Sequence, residues 1–208
     1  MAVIDRAIEH VPGDRPLLLT SKLFFLCDMN LLSLEEFDRI TARLSGLPFD
    51  SRSMKAYNVA AQEILTGDCP NIEPEMLEAV FLRMLDVPTN AVPTSLQYSH
   101  VNFLIGYARI YAGRPDAALE AFQKSVNSRP GPSHAMAMAA LLASNTYYRE
   151  ALVLADRALA QLHKEMAADP RLVHKVKESD IREFQTTVSA DLAAQQKTAD
   201  TPDPAGQQ

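Results

Sequence analysis

The sequence predicts an all-α protein, and three observations carry this prediction. Glycine is scarce, with 7 residues among 208, and tryptophan is absent. No segment shows the sustained alternation of apolar and polar residues that is typical of a half-buried strand. Residues that cap or end helices recur about every 15 to 20 positions, the length of an ordinary helix with its connection. We therefore expect about nine helices and no strand.

Composition narrows the classes of function. The chain is 47% hydrophobic, enough for a sizeable core, and its net charge of -6 disfavours nucleic acid and anionic lipid as partners. Its most apolar run, residues 17–26, is interrupted by Thr20, Ser21 and Lys22 and is too short to cross a membrane. The first residues lack the basic start and long apolar core of a secretory signal. A cytoplasmic location without direct membrane insertion is therefore predicted.

The N-terminal portion is predicted to be an arm followed by two helical hairpins. A weak apolar stripe over residues 1–13 ends at a Pro-Gly pair, so this arm is expected to be a short helix or a loose segment. Residues 14–87 are predicted to form four helices. In the first hairpin, Ser33 and Glu36 have the spacing of a capping box. Residues 87–94 contain two prolines and are predicted to be a stiff joint.

The strongest motif lies between residues 99 and 130, where the spacing fits two closely packed antiparallel helices. One glycine leaves room for a neighbouring helix, a second supplies the positive φ that ends the first helix, and a proline begins the next. An alanine then faces the first helix, a phenylalanine fills the gap beyond it, and a proline marks the exit. These positions are Gly106, Gly113, Pro115, Ala118, Phe122 and Pro130.

A second unit of the same kind is predicted over residues 133–166, so that the pair spans residues 95–166. The step from Ala118 to Ala151 is 33 residues, and Thr146 and Tyr147 replace the usual glycine, so the same turn geometry is not predicted. One residue deleted from the turn between the helices explains the shorter step. The matching small residues are Ala140, Ala151 and Ala158.

The two units resemble the tetratricopeptide repeat (TPR), a helix-turn-helix unit of about 34 residues. The resemblance implies a right-handed α-α superhelix built from TPR-like helical hairpins. Residues 177–195 contain apolar side chains at helical spacing and are predicted to form a helix that caps the open end. Residues 196–208 lack large apolar side chains and are predicted to be a disordered tail.

The resemblance also implies a binding surface, because the first helices of such repeats line the concave face of the superhelix. By position in the motif, the groove residues are His100, Phe103, Tyr107, Ile110 and Tyr111 in the first unit, with His134, Leu141 and Asn145 in the second. A helical row of aromatic residues is also typical of a packed core, so a peptide-binding groove and a core are both open interpretations. None of these positions is lysine or arginine, which disfavours a ligand held by its terminal carboxylate.

The sequence contains no motif of catalysis or metal binding. The five histidines are scattered, no HExxH pattern occurs, and the two cysteines lack CxxC spacing. A glycine-rich phosphate loop, a GxSxG turn and a dinucleotide fingerprint are also absent. We therefore predict a protein that is not an enzyme and has no cofactor and no metal.

Cys27 and Cys69 leave two interpretations open, a pair of buried thiols or one disulfide. Because no export signal is recognised, the reduced pair is favoured. A disulfide that closes a loop of this length would contribute about 4 kcal/mol, and it would persist only in an oxidising compartment.

Two functions are expected from these features. The first is a protein-protein interaction scaffold that binds a peptide or protein segment in its groove, with homo-oligomerisation left open. The alternative is the soluble extracytoplasmic C-terminal domain of a larger membrane enzyme. A hairpin with one cysteine, a second cysteine after the next helix and repeats behind them are similar in layout to such domains of some bacterial polymer ligases and glycosyltransferases. The location would then be periplasmic, and Met1 would be an internal start.

Overall fold

The structure is a computed structural model that describes residues 2–10, 15–47, 50–66, 69, 71–86 and 92–199. These residues form ten helices and no strand, which confirms the all-α prediction. No helix among them is both long and apolar enough to cross a bilayer. The helices are α1 (Ala2–His10), α2 (Arg15–Asp28), α3 (Leu34–Ser45), α4 (Ser51–Thr66), α5 (Pro74–Met84), α6 (Thr94–Tyr111), α7 (Pro115–Ser128), α8 (Pro132–Ser144), α9 (Tyr148–Ala168) and α10 (Glu178–Ala199).

The chain divides into two compact units, Met1–Arg129 and Pro130–Gln208. In the first unit, α2 packs against α4 and α4 against α6, while α3 packs against α5. Helices α5 and α7 both pack against α6, and α1 packs against α2. In the second unit, α9 packs against both α8 and α10. The division falls between the two predicted repeats, whereas the predicted joint at residues 87–94 lies mainly outside the described residues.

Helix α1 is docked rather than loose. Ile8 is fully buried, and the Asp5 carboxylate accepts a hydrogen bond from Lys22 Nζ at 2.6 Å. Lys22 lies on α2, is 6% exposed and also pairs with Glu36 of α3 at 2.8 Å. A buried charge is costly unless it is paired, so these two carboxylates explain why a lysine is tolerated inside the most apolar run. One ammonium group thereby links three helices.

The hairpin of α6 and α7 is held by the close contact that the motif predicted. Gly106 lies against Phe122, and a Cβ atom on the glycine would be no more than 3.0 Å from three atoms of that ring. Ser125 Oγ donates a hydrogen bond to the Ser99 carbonyl at 2.6 Å, and both residues are buried. Gly113 has a φ of 69°, so it makes the left-handed turn between the two helices.

The hairpin of α8 and α9 keeps this turn with a different residue. Thr146 has a φ of 65°, in the same left-handed region as Gly113. In both turns, the N–H of this residue donates to the carbonyl three residues earlier, and the next N–H donates to the carbonyl five residues earlier. The turn geometry is therefore retained without glycine, and the two turns are 33 residues apart.

Burial agrees with the predicted packing positions, with one exception. Ala140 is exposed, whereas the buried side chains of α8 are those of Pro132, Ala135, Met138, Ala139 and Leu142. The prediction that Ala140 packs against a neighbouring helix is therefore wrong for the described unit. The remaining packing positions are buried, and these are Gly106, Ala118, Phe122, Ala151 and Ala158.

Helix α10 corresponds to the predicted capping helix over residues 177–195 and continues to Ala199. Residues 196–199 were predicted to be disordered, but they form the last turn of α10. Residues 200–208 lie outside the described residues. The buried side chains of α10, which packs against α9, are those of Ile181 and Val188.

Cys27 and Cys69 are joined by a disulfide, with their Cα atoms 5.2 Å apart. The structure therefore differs from the favoured expectation of two reduced thiols. The fold brings the two cysteines close enough to bond, because their Cα distance falls within the range that a disulfide requires. The bond ties the end of α2 to the segment that precedes α5, across a sequence separation of 42 residues.

Candidate functional site

Three aromatic side chains form a row on α6, which we call the aromatic stripe: Phe103, Tyr107 and Tyr111. The rings of Phe103 and Tyr107 are nearly parallel, with centroids 6.2 Å apart and 17° between their planes. Tyr107 and Tyr111 make an edge-to-face contact at 5.2 Å. Phe103 also contacts Phe122 of α7 at 6.0 Å, which anchors the stripe in the hairpin. All three side chains of the stripe are partly exposed.

Helix α6 is fixed to α5 by buried polar contacts. Glu78 of α5 is 7% exposed and accepts hydrogen bonds from Arg109 Nε at 2.6 Å and from Arg114. Arg109 also donates to a carbonyl in the first turn of α7 at 2.9 Å. The Gln97 side-chain amide donates to the carbonyl of Met84, the last residue of α5, at 3.0 Å. These bonds fix the orientation of the helix that carries the stripe.

The charge state of Glu78 depends on its two arginine partners. Burial raises the pKa of this carboxyl, because removal from water disfavours the charged form. The hydrogen bonds and charges of Arg109 and Arg114 outweigh burial and hold the pKa of Glu78 below its ordinary value. Glu78 is therefore ionised at neutral pH and engages both guanidinium groups, that of the largely buried Arg109 and that of the exposed Arg114.

The structure places the other predicted groove residues in different environments. Ile110 is 2% exposed, contrary to the prediction that it lines a surface, because it lies one turn beyond the packed glycine on the buried side of α6. His100 is partly exposed on the same helix. His134, Leu141 and Asn145 are partly exposed in the second unit, and the Asn145 amide donates to the Leu141 carbonyl at 2.9 Å. The aromatic stripe is the part of the predicted groove that the structure brings into mutual contact.

Sequence reasoning missed the ion cluster that supports the stripe. Arg109 lies 31 residues from Glu78, and Arg114 lies 36 residues from it, so no local pattern links them. One signal was present in the sequence: Glu78 follows Leu77 and precedes Val80, both of which are on the buried side of α5. A carboxylate at a buried helical position requires a cationic or hydrogen-bonding partner.

Histidine–carboxylate pairs also join segments of the second unit. His163 Nε2 lies 2.9 Å from Glu178 Oε2, and His174 Nδ1 lies 3.3 Å from Glu165 Oε2. Each is a pair, and within the described ranges no group of three or more histidine, cysteine, aspartate or glutamate side chains is placed to hold a metal ion. These pairs connect α9 to α10 and to the segment between them.

Comparisons of the chain with protein-family models, with curated proteins and with solved structures found no significant match. The TPR resemblance therefore stands on the motif residues alone. The function is argued below from the contacts, burial and charge of the described residues.

Proposed function

We propose that the chain is a non-catalytic interaction module that binds a peptide or protein segment along the aromatic stripe. The observation that carries the proposal is the stripe itself, three aromatic side chains in mutual contact and partly exposed on one helix. Tyrosine is enriched among the residues that dominate binding energy at interfaces. Its ring buries a large apolar area, while its hydroxyl keeps a polar end for a hydrogen bond.

The way in which α6 is held supports a binding role. A surface that is already ordered loses less conformational entropy when it binds. Gly106 packs α6 closely onto α7, and Glu78 ties it to α5. The successive packing of α2, α4 and α6, with α3 against α5, is the neighbour pattern expected of stacked hairpins and supports a TPR-like superhelix as the architecture.

The chemistry of the stripe favours a segment with large apolar side chains over one held by a charged terminus. Its three rings offer apolar area to a partner. Arg109 and Arg114 are already bound to Glu78. They are therefore poor candidates for a clamp around a ligand carboxylate.

Selection of peptides from a displayed random library on the whole chain tests the proposal. Selected peptides should bind the wild type, and Tyr107→Ala combined with Tyr111→Ala should weaken that binding roughly 30-fold or more, equivalent to about 2 kcal/mol for a hot spot. Failure to select any peptide would contradict the proposal. So would peptides that bind the double variant as tightly as the wild type.

Tyr98 provides a matched control on the same helix. It is 41% exposed and lies five residues before Phe103, which places it on a different face of α6. Tyr98→Ala should leave peptide affinity unchanged. A loss as large as that of the double variant would show that binding is not localised to the aromatic stripe.

The disulfide favours a second candidate. Disulfides persist in oxidising compartments and are rare in the cytosol. The Cys27–Cys69 bond therefore supports the alternative in which the chain is the extracytoplasmic C-terminal portion of a bacterial membrane polymer ligase or glycosyltransferase. An upstream reading frame that encodes membrane spans, together with an intact disulfide in protein from the native host, would support it. Two reduced cysteines in that protein, measured by mass, would contradict it.

A further inference from the structure

We propose that the turn between α2 and α3 carries a second docking surface whose occupant is a cationic amphipathic helix. Single exposed apolar residues are ordinary on a protein surface, but a group of them marks an interaction site. Five large apolar side chains in residues 24–34 are each 40–61% exposed. We call this group the turn patch, and its members are Phe24, Phe25, Met29, Leu31 and Leu34.

The backbone holds the turn patch in a defined shape. The Met29 N–H donates to the Phe25 carbonyl at 3.1 Å, and the Leu31 N–H donates to the Leu26 carbonyl at 2.8 Å. Asn30 between them has a φ of 54°, the left-handed conformation that ends α2. The exposed side chains are therefore displayed by an ordered turn.

The disulfide fixes the same region and argues for a macromolecular partner. Cys27 lies between Phe25 and Met29 in the sequence, is buried, and is bonded to Cys69, which holds this end of α2 in place. The depression beside the disulfide has an empty volume of about 150 Å³, smaller than the roughly 300 Å³ at which ligand pockets begin. It is lined by Cys27, Asn30, Leu32, Cys69, Asn71 and Ile72. Exposed apolar side chains beside so small a depression suit a protein segment better than a small ligand.

The charge around the turn patch selects the kind of segment. Residues 24–38 contain four acidic residues and no lysine or arginine. Glu36 is engaged by Lys22 and by the exposed Arg39 that follows this segment, whereas Asp28, Glu35 and Asp38 are exposed and form no ion pair with any other residue that the structure describes. An apolar surface with an acidic rim is complementary to an amphipathic helix that carries basic residues beside its apolar stripe. The same acids repel anionic lipid and a second copy of this patch.

Two synthetic helical peptides of about 20 residues, each about 30 Å long, test the proposal. They share one leucine stripe, and the polar face carries lysine in one and glutamate in the other. Titration calorimetry on the whole chain should detect binding of the lysine peptide alone. Phe25→Gln/Leu31→Gln/Leu34→Gln should weaken this binding at least roughly 10-fold, and Asp28→Asn/Glu35→Gln/Asp38→Asn should weaken it to a similar degree.

Matched controls distinguish binding at the turn patch from binding of the peptide elsewhere on the protein. Leu82→Gln/Val153→Gln replaces two apolar side chains of similar exposure, 43% and 40%, elsewhere in the chain and should leave binding unchanged. Tyr107→Ala/Tyr111→Ala should also leave it unchanged, because the aromatic stripe is a different surface. Circular dichroism checks that each variant is folded. If the variant with three apolar residues replaced by glutamine (the glutamine variant) does not fold, the variant with three acids replaced by amides serves as the test.

Several outcomes would overturn the proposal. If the glutamate peptide binds as tightly as the lysine peptide, the partner need not be cationic. If the glutamine variant binds the lysine peptide as tightly as the wild type, the turn patch is not the binding surface. A wild-type dimer in sedimentation that becomes a monomer in the glutamine variant would identify the occupant as a second copy. Sedimentation of the wild type, but not of the glutamine variant, with phosphatidylcholine vesicles would identify it as a bilayer.

Discussion

Gly106 sets how closely α6 and α7 approach each other. In Gly106→Ala, the new Cβ would meet the ring of Phe122, which is fully buried and has little room to move. Overpacking should lower the free energy of unfolding by about 1–3 kcal/mol, although alanine is by itself the better helix former. Urea denaturation measures this loss.

Gly131 provides the control for that substitution. A Cβ atom at Gly131 would have no neighbour within 4 Å, and its φ of 167° is an extended conformation that any residue adopts. Gly131→Ala should therefore unfold like the wild type. If Gly106→Ala is as stable as Gly131→Ala, the close contact between α6 and α7 is absent.

Thr146 has the left-handed conformation that Gly113 has in the first unit. A β-branched residue in this region is strained, so Thr146→Gly should raise the free energy of unfolding by about 1 kcal/mol. Gly113→Thr should lower it by at least as much, since no atom lies within 4 Å of that position and backbone strain is the main effect. Calorimetric melting of both variants measures the two changes, and changes of the same sign would contradict this interpretation.

Some properties of single residues could be predicted from the sequence, and others could not. The positive φ of Gly113 and the packing of Gly106 followed from local motif chemistry. The burial of Ile110 and the exposure of Ala140 did not, because each depends on which neighbouring helix covers that side. The position of a residue in the motif predicts which face of the helix it lies on. It predicts less reliably whether that face is covered by another helix.

Between elements, Glu78 joins α5 to α6 and makes stability depend on pH. Its pKa is lower in the folded protein than in the unfolded chain, so its contribution is present above the unfolded pKa and is lost as pH falls through the folded value. Stability measured by urea should therefore fall between about pH 5 and about pH 3. Glu78→Gln should lower stability at neutral pH by about 1–3 kcal/mol and flatten this pH dependence.

An exposed carboxylate serves as the comparison for Glu78. Glu120 pairs with Lys124 at 2.7 Å on the surface of α7, and the hydrogen bond from that lysine lowers its pKa as well. Water screens this pair, so Glu120→Gln should leave stability at neutral pH and its pH dependence unchanged. Equal behaviour of the Glu120 and Glu78 variants would show that the buried cluster has no special role.

Local signals predicted the helices better than they predicted contacts between them. The Ser33 side chain accepts a hydrogen bond from the Glu36 N–H at 3.2 Å, which confirms the helix start given by the capping box. The docking of α1 was missed because its anchor, the pair of Asp5 and Lys22, joins residues 17 positions apart. A pair of this kind leaves no periodic pattern in either segment.

For the molecule as a whole, the disulfide should make a large contribution to the free energy of unfolding. Reduction should lower the free energy of unfolding by about 4 kcal/mol, because the unfolded chain regains the freedom of a loop that spans 42 positions. Cys27→Ser/Cys69→Ser should have this lower stability and should not respond to reductant. Wild-type protein whose unfolding is unchanged by reductant would contradict the bonded state.

Both proposed surfaces lie in the unit Met1–Arg129. The aromatic stripe could be predicted from sequence because its residues belong to one helix at one spacing. The turn patch could not, because the exposure of Phe25 or Leu31 depends on which sides of α2 and α3 the other helices cover. The all-α class needed only composition, periodicity and caps, all of which are local.

The central claim is that the aromatic stripe is a surface rather than a core, and the unfolding free energy of Tyr107→Ala/Tyr111→Ala tests it most directly. Because the two rings are partly exposed, truncating both should lower the free energy of unfolding by no more than about 3 kcal/mol, and the helical circular dichroism spectrum should be retained. Two core aromatics would each cost about 3–5 kcal/mol, a sum comparable to the stability of a whole domain. A double variant that fails to fold would contradict the claim.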